Sequence, residues 1–162
     1  MAVHMTVAPP DGFESWSEEQ WDAWLAEHPW EPAERIADRP DWLVFLYVVR
    51  VHAVKSQDGL APFLERLIGE KSFHADEVEP LRDALRDAAA ELARVPASKL
   101  WTGTQFYSHG DLDRYFADTE LRTGKRGTEM FVSDLWTPLL ERLFATLERA
   151  LTQKRGVYFG HL

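Results

Sequence analysis

A chain of 162 residues, 45% hydrophobic and 28% charged, holds enough apolar material for one globular domain without covalent staples. It has no cysteine, which excludes a disulfide framework, thiolate metal sites and cysteine nucleophiles, and leads to the expectation of a reducing, cytoplasmic setting. The formal charge of −9 is the wrong sign for direct nucleic-acid binding, and no apolar run reaches the ~18 residues that a membrane span needs.

Residues 1–14, with Pro9-Pro10 and Asp11-Gly12, read as a flexible lead-in. Their start lacks the basic-then-apolar pattern of a secretory signal, and His4-Met5 reads as a cloning remnant. Residues 15–162 are expected to form a single helical domain. Its first helix has a full start signal. Ser17 can cap, Gln20 follows three residues later, and Trp16 and Trp21 hold the two staple positions. Trp21, Trp24, Leu25 and His28 share one helical face, and Pro29 ends the pattern. Residues 30–39 form a bridge, with Asp38 able to cap the next helix and Pro40 in its first turn.

The most apolar stretch runs from Trp42 to Gly59, with eight unbroken apolar residues from Trp42 to Val49. A buried strand is the alternative, but the length favours a helix. The expected fold is therefore all-α, a single compact domain of five to seven helices around this central buried helix. Gln57-Asp58-Gly59 marks a turn, and Leu60, Phe63, Leu64, Leu67 and Ile68 resume helical spacing. Residues 75–95 are amphipathic. Val78, Leu81, Leu85, Ala88 and Leu92 face one way, and Asp76, Glu79, Asp83, Asp87 and Glu91 the other. Pro80 suggests that this helix starts only near Glu79. Residues 96–110 read as a long ordered loop, residues 111–119 as a short helix and residues 123–127 as a basic surface loop. A last helix begins at Ser133 or Thr137, carries Leu139, Leu140, Leu143, Phe144, Leu147 and Leu151 as its buried stripe, and stops at Gly156. Val157-Tyr158-Phe159 is an apolar tail that can dock back on the body.

The acidity is local. Between Asp11 and Asp41 stand Asp11, Glu14, Glu18, Glu19, Asp22, Glu27, Glu31, Glu34, Asp38 and Asp41 against only Arg35 and Arg39. Nearly all the net charge therefore belongs to the first quarter of the chain, and a basic partner is its natural complement. The same quarter carries Trp16, Trp21, Trp24 and Trp30, a residue type suited to packing and to interfaces alike. A partner surface is accordingly expected from Glu14, Glu18, Glu19, Asp22, Glu27 and Glu31, with Trp24 and Trp30, extended by Asp83, Asp87 and Glu91. The histidines lack metal-ligand spacing, Gly124-Lys125-Arg126-Gly127 lacks phosphate-loop spacing, and no metal or cofactor is expected. The alternative is a small helical enzyme or ligand-binding protein. Its pocket would be lined by His52, Trp101, Tyr107, His109 and Asp111, an imidazole and a carboxylate among aromatics being able to exchange protons.

Gln57-Asp58-Gly59-Leu60, then Phe63-Leu64, Gly69-Glu70 and the helix start Ala75-Asp76-Glu77-Val78, resemble an order found in small acidic bacterial proteins of the DNA-mimic family. There an Asn-Gly-Gly motif precedes an apolar residue and paired aromatics; here its second glycine, Gly59, is kept. The resemblance covers about residues 40–95. It implies an all-helical monomer or homodimer whose carboxylates imitate phosphates and occupy a DNA-binding protein. Taken together, the leading expectation is a non-enzymatic acidic protein that binds a basic protein, either as a DNA mimic or as an immunity-type inhibitor of a toxin.

Overall fold

The computed structural model describes residues 1–28, 33–102 and 107–160. Its helices are α1 (Glu18–Glu27), α2 (Arg39–His52), α3 (Gln57–Leu60), α4 (Leu64–Ile68), α5 (Ala75–Leu92), α6 (His109–Thr123) and α7 (Thr137–Gln153). Short 3-10 turns precede several of them. The chain is mostly helical, but not all-α. Three strands, β1 (Ala2–Val7), β2 (Glu34–Asp38) and β3 (Val157–Phe159), form an antiparallel sheet in the order β2-β1-β3.

The sheet corrects the all-α expectation. Residues 2–7, read from sequence as part of a lead-in, are its central strand. Val3, Met5 and Val7 alternate along β1 and are almost fully buried, and Thr6 is buried on the other face, its hydroxyl donating to the Gly160 carbonyl. The bridge before the central helix supplies β2, and the apolar tail supplies β3. Between Val3 and His4 the register to β2 shifts: Val3 faces Ala37, and His4 faces Arg35. Ile36 is the extra residue, and this bulge turns both Ile36 and Ala37 into the core.

The central segment is helical, but in pieces: α2 ends at His52, a 3-10 turn follows over Val54–Ser56, and Gln57-Asp58-Gly59, expected as a turn, lies in the short helix α3. Pro40 lies in the first turn of α2, and Trp42 is fully buried, with its indole N–H donating to the Leu67 carbonyl at 3.2 Å. The Trp42 ring meets Phe45 on α2 and Phe159 on β3, with centroids 6.1 and 5.8 Å away. One broad face of α2 is buried. Leu43 and Val51 instead stand 40% and 38% exposed, so the helix is central without being enclosed. Helices α5 and α7 pack on each other, and α7 also lies against β1 and β2.

Helix α5 runs unbroken through Pro80. Its start needs no cap at Glu79, because Glu77 reaches back to the His74 N–H at 3.0 Å and Asp11 accepts from the Ala75 N–H at 3.1 Å. At the far end of the chain, a Cβ on Gly156 would stand 2.1 Å from the Phe73 carbonyl oxygen. Glycine is therefore required there for the backbone of residue 157 to pair with Phe73. Among the described residues no helix is long and apolar enough to cross a membrane.

Candidate functional site

Helix α1 has the expected start. Ser17 Oγ accepts from the Gln20 N–H, and Gln20 Oε1 accepts from the Ser17 N–H at 2.8 Å. Trp16 and Trp21 close the staple with ring centroids 5.2 Å apart. None of the helix's residues is buried. It is held by a surface aromatic cluster instead. Phe13 meets both Trp21 and Tyr158, Trp16 meets Trp24, and Trp24 stacks on His28 at 3.6 Å. The Arg155 guanidinium lies 5.4 Å from the Trp24 ring. A shallow cleft of about 300 Å³ runs along Trp16, Gln20, Ala23, Trp24 and Glu27.

The carboxylates of this surface divide into two groups. Glu18, Glu19, Asp22 and Glu27 are exposed, and none is in an ion pair among the described residues. Others have local work. Glu14 accepts from the Ser72 hydroxyl at 3.1 Å. Asp83 pairs with Arg82 at 3.1 Å, while Arg82 and Arg86 both reach Glu148 on α7. Glu91 caps the turn after α2, accepting from the Lys55 and Ser56 N–H groups, both at 3.0 Å. Burial opposes its ionisation, yet these bonds hold its carboxyl below the ordinary range. Asp87 is exposed on α5. Trp30 and Glu31 lie outside the described residues.

The residues of the alternative pocket are separated by their structural roles. Tyr107 is buried and its hydroxyl donates to the Leu100 carbonyl at 2.7 Å. Ser108 caps α6, and Asp111 completes the capping box by accepting from the Ser108 N–H at 3.0 Å. That bond holds the Asp111 carboxyl below its usual range. His109 is exposed in the first turn of α6, edge-on to Trp101 with centroids 5.3 Å apart. His52 is half-buried. Burial, and then the charge of Lys99, lower its pKa and favour the neutral ring. No hydrogen bond or ring contact joins His52 to His109 among the described residues. Nor do any three His, Asp or Glu residues there form a group able to hold a metal ion.

The sequence reading missed a cleft of about 270 Å³ between the β2 bulge, α6 and the start of α7. Arg35, Arg114, Arg122 and Arg142 all line it, with Asp38, Asp41 and Asp118. Arg35 pairs with Asp38. Asp41 accepts from both Arg114 and the Tyr115 hydroxyl at 2.7 Å, and burial followed by this bond raises the Tyr115 pKa. Arg122 donates to the Asp134 carbonyl at 2.7 Å, and Arg142 to the Ile36 carbonyl at the bulge at 3.3 Å. The one local signal was the row Arg114, Asp118, Arg122 at four-residue steps, which reads equally as a solvated helix face. The chain matches no family model, no curated protein and no solved structure.

Proposed function

We propose that this chain is a non-enzymatic binding protein, and that α1 is the surface it offers to a basic protein. The observation that supports this is the state of the α1 carboxylates. Glu65, Glu77, Asp134 and Glu148 meet cations of the same chain, whereas Glu18, Glu19, Asp22 and Glu27 stand together on one short helix and meet none among the described residues. An uncompensated acidic helix makes the local potential more negative and speeds encounter with a cationic surface. The half-buried Trp16 and Trp24 beside it supply apolar area that a partner can cover. The finer reading is that the partner is a DNA-binding protein, with carboxylates standing in for phosphates, or a toxin neutralised in the manner of an immunity protein.

Capture from a lysate of the native host tests it, with immobilised wild-type chain compared against the E18Q/E19Q/D22Q/E27Q variant. The wild type should retain a basic protein whose affinity falls at least about tenfold between roughly 0.05 and 0.5 M salt, and the variant should lose it. Equal capture by both chains, or salt-independent affinity, rejects the reading. Competition by duplex DNA separates a DNA-binding partner from a toxin that does not bind DNA.

A further inference from the structure

We propose that the arginine-lined cleft between β2, α6 and α7 binds a small organic anion through a carboxylate or phosphate head group. The hydrogen-bond inventory carries the argument. Asp38 and Asp41 are already paired with Arg35 and Arg114. Arg122 and Arg142 have no carboxylate partner among the described residues. Each is anchored by a main-chain carbonyl through one terminal nitrogen, Nη2 of Arg122 and Nη1 of Arg142. Nη2 of Arg122 also donates to the Thr119 hydroxyl oxygen at 3.4 Å; the other guanidinium N–H groups of the two arginines have no acceptor among the described residues and are left to an outside one. Trp136, also in the wall, is 3% exposed, and its indole N–H is buried without an acceptor among the described residues. Besides Asp118 and the second oxygens of Asp38 and Asp41, the open groups around the cleft are donors, and four arginines outnumber three aspartates in its lining. A ligand that completes it brings acceptors and negative charge.

Guanidinium forks suit carboxylate and phosphate oxygens, which they hold by paired, charge-assisted hydrogen bonds. The anchors fix both arginines before a ligand arrives, which lowers the ordering cost of binding. The apolar wall of Ile36, Tyr115 and Leu139 can cover the carbon skeleton. A volume near 270 Å³ is just below the range of ligand pockets, about 300–1,000 Å³, so the ligand is small. A β-bulge supplies one wall and the anchoring carbonyl of Arg142, a location where bulges re-aim side chains toward a site. Asp118, in no ion pair among the described residues, is the one lining carboxylate that opposes an anion.

The test is a titration of the ¹⁵N-labelled full chain with inorganic phosphate, glycerol phosphate and succinate, read at the Trp136 indole N–H. At least one anion should give a saturable shift. R122Q should weaken it about tenfold or more, the loss expected for a charge-assisted pair. D118N, which breaks no ion pair, should tighten it, and Arg50→Gln on α2 should leave it unchanged. Which anion saturates identifies the head group. No saturable shift with any of the three, or equal affinity in wild type and R122Q, overturns the proposal. Either result leaves the reading of α1 untouched, because α1 does not line the cleft.

Discussion

Glu77 accepts from both terminal nitrogens of Arg66 and from the His74 N–H, while the Arg66 guanidinium rests 4.3 Å from the Phe73 ring. The Arg66 bond, assisted by that N–H and opposed by burial, holds the Glu77 carboxyl down to about 2. Because the folded pKa lies below the ordinary value, the contribution is fully present above about pH 4.5. It is lost as pH falls through the window from about 4.5 to 2. The side chain is 26% exposed, so solvent reduces the effect to about 1–2 kcal/mol. Urea denaturation of E77Q should show a loss of that size at neutral pH and a flatter profile below pH 4.5. A variant as acid-sensitive as the wild type would assign the acid transition to other groups.

No residue of helix α1 is fully buried, and the helix depends on its capping box and aromatic cluster, so it should open without the rest of the molecule. Ser17→Ala removes one side of the box at a cost of about 1 kcal/mol, equivalent to roughly fivefold faster amide exchange within residues 18–27. Hydrogen exchange should detect that increase while the global unfolding midpoint holds. A matching fall in the midpoint would show that α1 is coupled to the core. The helices were readable from sequence because their signals are local: Ser17-Gln20 at a start, four-residue apolar steps in α5 and α7. The strands were not. β2 is five residues long, and its bulge puts Ile36 and Ala37 inward together, which erases the alternation that marks a strand. The arginine cleft was hidden for a related reason. Its arginines come from residues 35, 114, 122 and 142, and the bulge carbonyl that anchors Arg142 is 106 positions away from it.

In the whole molecule β1 is the piece that joins sequence-distant parts, since β2 and β3 each pair with it. Deleting residues 1–8 removes Val3, Met5 and Val7 from the core. At about 1.5–3 kcal/mol for each buried apolar side chain, the loss rivals a typical margin of about 5–15 kcal/mol. The shortened chain should lose cooperative thermal unfolding by circular dichroism and leave the elution position of the full chain in gel filtration. Retention of a sharp transition would mean that the helices form a self-sufficient core.

The placement of β1 also bears on how the protein is made. Thr6 bonds to a carbonyl 154 positions later, so β1 leaves the ribosome well before its second neighbour. Helices α2, α5 and α7 draw on nearby residues and can form as they emerge. Until β3 is made, β1 has β2 alone, and its other edge is open to a second nascent chain. That exposure ends when Val157–Phe159 is released and seated, after which both sides of β1 are covered.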